Sequence, residues 1–128
     1  MAAIRTLLVD DSLEFLEAAE RFLDSDPQIE IVGTVDSGLD AIEKASLLQP
    51  DLVLMDLAMP GINGLEATRQ IKTHLNPPRV IILTLLDNLE YRRASSAVLA
   101  DGFISKSEFG EKLLPQIYAL FELDHVAK

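Results

Sequence analysis

Five residues of types suited to metal and phosphoryl chemistry lie far apart in the chain: Asp10 and Asp11 in "LLVDDS", Asp56 in "DLVLMDLAMPG", Thr84 in "VIILT" and Lys106 in "GFISKS". Each stands at the end of an apolar run. A carboxylate at the mouth of a greasy segment is costly unless something compensates it. Taken singly, each has a plain explanation. Asp or Ser before a helix commonly caps it, and "DSLE" (11–14) reads as a capping box. Asp56 reads as a turn residue, Thr84 as an ordinary β-branched strand residue and Lys106 as a solvated lysine. Taken jointly, three acids at close range would repel and raise one another's pKa, and the usual remedy is a hard divalent cation. Mg²⁺ takes oxygen ligands and is typically held by one or two carboxylates plus a phosphate. The set therefore suits phosphoryl transfer to a carboxylate. Asp56 would be the nucleophile, Mg²⁺ would neutralise phosphoryl oxygens, and Lys106 and Thr84 would hold the remainder.

Whether these groups meet depends on the elements that carry them. Five short apolar runs, "IRTLLV" (4–9), "EIVGTV" (30–35), "DLVLM" (51–55), "RVIILTL" (79–85) and "GFIS" (102–105), alternate with helix-like segments near 13–24, 38–48, 64–74, 88–99 and 108–121. Several runs are continuously apolar, as parallel strands covered on both faces require. In "LEFLEAAERFL", apolar residues recur at helical spacing. Gly33, Gly38, Pro50, Pro60, Gly61, Pro77, Pro78 and Gly102 punctuate the boundaries. Repeated βα units imply an open parallel sheet with helices on both faces. The expected fold class is α/β, a flavodoxin-like (βα)5 sandwich with strand order 2-1-3-4-5. Its topological switch point lies at the carboxyl ends of the first and third strands, where the three acids fall.

The bulk composition narrows the functional classes. A length of 128 residues suits one domain. The absence of cysteine rules out disulfides and thiolate metal sites. With 21 acids against 11 bases, the net charge of −10 argues against unaided binding to nucleic acid or an anionic membrane. The apolar runs are too short to span a bilayer, and "MAAIRTLLVDD" enters a strand-like run with no secretory leader. A cytoplasmic location fits this composition. His74 and His125 have no supporting partners in sequence and are assigned no role.

From "LLVDDS" to "GFISKSEFGEKLLPQI", nearly the whole chain resembles the receiver domain of bacterial response regulators. The motifs that carry the likeness are "VDDS", "LVLMDLAMPGINGLEA", "ILT" and the lysine of "GFISK". The resemblance implies that Asp56 is phosphorylated by a partner histidine kinase. It implies that Asp10 and Asp11 hold Mg²⁺ together with Asp56 and the backbone carbonyl of Ala58, and that Thr84 and Lys106 contact the phosphoryl group. Phe103, otherwise a core aromatic, occupies the place of the family's switch aromatic. The implied output is a repacked face of the fourth helix, fifth strand and fifth helix, which partners read. Dimerisation through that face is a family-level expectation. Residues 1–122 would form the receiver and 123–128 a tail or the start of a linker. Any DNA-binding output domain would lie outside this acidic chain.

Three departures from the family pattern matter. Leu85 follows Thr84 where a small residue is usual, and its bulk is expected to narrow access to Asp56. Ser107 follows Lys106 where many members carry a cis proline. A cis Lys–Ser bond would cost about 3 kcal/mol, so either a trans bond with an altered loop or a compensated strain is expected. Receivers preceding LuxR-type helix-turn-helix domains often lack that proline, and "MPGINGLEATRQI" is similar to theirs. Ala58 and Leu86, two residues after Asp56 and Thr84, are apolar where the family tunes hydrolysis, which predicts slow autodephosphorylation. A haloacid-dehalogenase-like phosphatase would require "DxD" after the first strand, where "DDS" stands. A nucleotide-binding module would require a Gly-rich phosphate loop there. The alternative is a phosphorylation-independent pseudo-receiver acting as a protein-interaction module. It would typically have lost one of the acids, the threonine or the lysine, and all are present, but Leu85 and Ser107 keep it open.

Overall fold

The apolar runs form strands because each is short, rich in Leu, Ile and Val, and bounded by turn residues. A computed structural model describes residues 2–59 and 61–122; Pro60 and the predicted tail 123–128 lie outside them. The elements alternate as β1 (Ile4–Val9), α1 (Leu13–Asp24), β2 (Ile29–Val35), α2 (Gly38–Leu48), β3 (Leu52–Asp56), α3 (Gly64–Ile71), β4 (Arg79–Thr84), α4 (Leu89–Ala97), β5 (Gly102–Ser105) and α5 (Phe109–Leu120), with a 3₁₀ turn (Lys106–Glu108) before α5. The strands form one parallel sheet in the order β2-β1-β3-β4-β5, as the alternation predicts.

Strand periodicity divides the core in two. Leu8, Leu54, Leu83 and Ile104 belong to a buried cluster with Leu16 and Leu23 of α1 and Leu113 and Ile117 of α5. Their neighbours Leu7, Val9, Val53, Met55 and Ile82 face a second cluster with Ala41 of α2 and Ala67 and Ile71 of α3. Successive side chains alternate faces. Asp10, Asp56 and Lys106 stand two positions beyond Leu8, Leu54 and Ile104, so each inherits the parity of the α1–α5 side. Thr84 stands two positions beyond Ile82 and inherits the other parity.

Helix ends differ from the sequence expectation at three places. The first is the cap of α1, whose bounds agree with the expected 13–24: the cap is Ser12, whose hydroxyl accepts the Phe15 N–H at 3.2 Å, and not a box spanning Asp11 and Glu14. Asp10 accepts the Ser12 N–H at 2.8 Å, so the acid fixes the cap rather than serving as it. The second is α3, which ends at Ile71 and not near residue 74. Its C-cap residue Lys72 reaches forward to the Pro78 carbonyl at 2.8 Å and to Asp101 at 2.7 Å, pulling the chain out of helix before the Pro77–Pro78 pair. The third is α4, which ends at Ala97 before Leu99 adopts a left-handed φ of 69°.

Between β3 and α3 the chain folds back on itself very closely. The Gly64 N–H donates to the Leu57 carbonyl at 2.9 Å. A Cβ on Gly64 would lie 2.0 Å from the Asp56 carbonyl oxygen, closer than any contact allows. Gly64 thus sets how tightly α3 seats behind the end of β3. Gly64→Ala is expected to lower stability by about 2–3 kcal/mol through overpacking against main chain, read as a drop in the urea midpoint. A change below about 0.5 kcal/mol, the range of ordinary surface substitutions, would contradict this close approach.

Candidate functional site

At the carboxyl ends of β1, β3, β4 and β5 the predicted groups converge. Asp10 is 2% exposed and Asp56 5%, whereas Asp11 is open to solvent. One oxygen from each of the three carboxylates lies within 4.8 Å of the others. Lys106 Nζ sits 2.6 Å from Asp10 Oδ2 and 3.4 Å from Asp56 Oδ1. Lys106 is the ionic partner of the buried Asp10 Oδ2, an oxygen with no other polar partner. One ammonium therefore pairs with two acids of a cluster of three. This donor set fits a hard cation: all ligands are oxygens, crowded and under-neutralised.

The electrostatics of Asp56 follow from this crowding. Burial first, and then the Asp10 carboxylate, push its pKa up to about 6, while Lys106 pulls it down and Asp11 adds a smaller rise. The group remains a carboxylate at pH 7, more basic than an exposed one.

Thr84 is fully buried and its Oγ1 accepts the Leu86 N–H at 2.9 Å, leaving its own proton uncommitted by that bond. A cleft of about 320 Å³ is lined by Asp11, Asp56, Ala58, Thr84, Leu85 and Leu86. Ala58, Leu85 and Leu86 are thus placed where the sequence predicts. Leu85 is 78% exposed, so most of its side chain faces solvent rather than packing over Asp56. A larger hollow of about 800 Å³ lies at the opposite end of the sheet, beside Pro50, His74, Pro77 and Pro78. No buried polar atom without a partner lines it. Asp11, Asp56 and Thr84 line the smaller one.

The Lys106–Ser107 peptide bond is trans, as are all peptide bonds among the described residues. Ser107 donates its N–H to Ser105 Oγ at 3.3 Å, capping the 3₁₀ turn. A proline has no such proton, so the altered loop replaces the rigid ring with a hydroxyl cap. Phe103 pairs in register with Ile82 and packs half-buried against the α2–α3–α4 side, outside the cleft. Two groups not foreseen from the sequence hold it there. The Arg92 guanidinium lies 4.8 Å from the Phe103 ring centroid, and Asp87 binds Arg92 through two hydrogen bonds of 2.7 and 2.9 Å.

Comparison with known proteins agrees with this geometry. The family model described as "Response regulator receiver domain" matches residues 6–118. The chain belongs to this receiver family. The receiver is 42% identical over 106 residues to the response regulator protein VraR of Staphylococcus saprophyticus, covering 81% of this chain and 50% of that protein. It is 40% identical over 102 residues to a protein-glutamate methylesterase/protein-glutamine glutaminase of Methanospirillum hungatei, covering 80% of this chain and 29% of that protein. The receiver thus spans half or less of these relatives. The crystal structure of a LuxR-family two-component response regulator from Aurantimonas superposes with a TM-score of 0.89 at 28% identity, covering 94% of this chain and 86% of that one. The pseudo-receiver alternative finds no support, because none of the five residues is missing or displaced from the site.

Burial of Asp56 first, and the neighbouring acids second, give the folded state an energetic cost. The unfolded Asp56 carboxyl titrates near 3.8 and the folded one near 6, so the unfolded state releases its proton first as pH rises. The penalty is absent below pH 3.8 and complete above pH 6. Asp56→Asn should therefore stabilise the metal-free receiver by about 1–2 kcal/mol at pH 7, with the gain vanishing toward pH 4. Urea melts at the two pH values test this. A variant equally or less stable at pH 7 would contradict it.

Proposed function

We propose that the receiver is a phosphoacceptor switch in which Asp56 takes a phosphoryl group from a sensor histidine kinase. The observation that supports this most is the under-neutralised acid triad around a buried nucleophile, with Lys106 already between Asp10 and Asp56. Asp10, Asp11, Asp56 and the Ala58 carbonyl would hold Mg²⁺, which supplies positive charge for phosphoryl oxygens when bound. In the transfer, an Asp56 carboxylate oxygen forms a bond to phosphorus as the phosphorus–nitrogen bond to the kinase histidine breaks. The bonding pair returns to the imidazole. Lys106 exchanges a carboxylate partner for a phosphoryl oxygen. The Thr84 hydroxyl donates to another, and the loop that contributes Leu86 moves with it.

That movement reaches the surface through residues of this chain. The Leu86 N–H is bonded to Thr84, Asp87 follows directly, and Asp87 holds the Arg92 that covers Phe103. Shifting Thr84 loosens this series and lets the α4–β5–α5 face repack, a bias on a bistable element. Through that face the receiver would regulate an output, most simply transcription, by dimerising or by releasing a DNA-binding domain beyond residue 122. On this reading the protein acts in the cytoplasm, binds no nucleic acid itself, and is no enzyme beyond its own phosphorylation and slow dephosphorylation. Among the described residues no helix is long and apolar enough to cross a membrane.

Intact-mass measurement after incubation with acetyl phosphate tests the proposal. One phosphoryl group should appear, requiring both Mg²⁺ and Asp56, and Asp56→Ala should show none. After donor removal the adduct should persist well beyond seconds, because Ala58 and Leu86 offer attacking water no polar partner. An adduct surviving Asp56→Ala, or absent even with a phosphorylated kinase as donor, would refute the proposal.

A further inference from the structure

Lys106 has a third neighbour that phosphoryl chemistry alone does not call for. Its Nζ lies 4.4 Å from the centroid of the Phe15 ring, on the first turn of α1. The ammonium is therefore held on three sides, by Asp10, Asp56 and an aromatic face. The ring is itself held firmly. The Ser12 cap fixes its main chain, and the ring pairs edge-to-face with the Phe109 ring, centroids 5.4 Å and planes 70° apart. Phe109 begins α5 three residues after Lys106 and also packs on Phe22 at 5.1 Å. Phe15 is thus wedged against both ends of the short turn that carries the lysine.

We propose that Phe15 is a positioning residue for Lys106: its ring face holds the ammonium in the crevice when a cation or phosphoryl group draws the carboxylates away from it. A divalent cation binding Asp10 and Asp56 repels the ammonium that occupies them. A lysine with carboxylate partners alone would then swing into solvent and lose its place beside the incoming phosphoryl oxygens. The π face attracts the ammonium without competing for the metal, since it offers no lone pair to Mg²⁺. Phe15 thereby lowers the cost of exchanging Lys106 for Mg²⁺ on Asp10 and keeps the clamp within reach of Asp56. This rests on the reading of Lys106 as a phosphoryl clamp.

A double-mutant cycle on the full chain tests it, with Mg²⁺ affinity followed by NMR titration and phosphoryl uptake from acetyl phosphate by intact mass. Phe15→Leu should weaken Mg²⁺ binding and slow uptake, each about 3–10-fold, and Phe15→Tyr should restore both. In a Lys106→Met background, Phe15→Leu should change neither. Equal losses in both backgrounds would reduce Phe15 to packing, and no loss would overturn the proposal. Should Phe15→Leu fail to fold, Phe15→Met carries the same comparison. The ring-current shift of the Lys106 ε-methylene protons reports the contact independently of chemistry. If wild type took up neither Mg²⁺ nor a phosphoryl group, the phosphoacceptor reading would fail, while absence of that shift would overturn the positioning role.

Discussion

Three clustered carboxylates with one ammonium between two of them are the constraint around which this receiver is built. Lys106 reaches Asp10 at 2.6 Å and Asp56 at 3.4 Å, and Asp11 completes the cluster from the solvent side. Two of the acids are buried, where an uncompensated charge is expensive. Evolution toward stability alone would remove one of them. On the proposed reading a bound cation and a phosphoryl group offset that cost, so function and instability have the same origin.

The fold keeps that cluster together with few degrees of freedom. Asp10, Asp56 and Lys106 extend the strand parity of Leu8, Leu54 and Ile104, so the sheet that buries the α1–α5 core also aims the reactive groups to one side. Asp10 is anchored by the Ser12 N–H, and Ser12 in turn caps α1 and seats Phe15. Gly64 backs the carbonyl of Asp56, fixing the end of β3 from behind. Charge in the crevice is thereby tied to packing on both sides of the sheet. Thr84, with the opposite parity, connects the same crevice to the loop leading to Asp87, Arg92 and Phe103.

The strands and the convergence of their ends were legible in the sequence. Continuous apolar runs such as "LVLM" and "VIILT" occur where both faces of a sheet are covered, and parallel topology then brings their carboxyl ends together. Asp10, Asp56, Thr84 and Lys106 were identifiable for that reason. Local rules proved weaker where tertiary contacts competed. The "DSLE" box gave way to Ser12 because Asp10 occupies the turn, and α3 stopped early because Lys72 found Pro78 and Asp101. Phe15 and Arg92 were not identifiable at all. Aromatic residues at helical spacing and arginines on a helix are commonplace, and only the folded chain sets a cation over a ring.

The measurement that bears most directly on this account is the melting temperature against Mg²⁺ concentration at pH 7 and constant ionic strength, for wild type and Asp10→Asn. Wild type should gain stability steadily once the metal exceeds its dissociation constant, and Asp10→Asn should stay flat. Parallel gains in both proteins would mean that Mg²⁺ merely screens the surface charge of −10. No gain in wild type would mean that the triad holds no metal, and the central claim would fall.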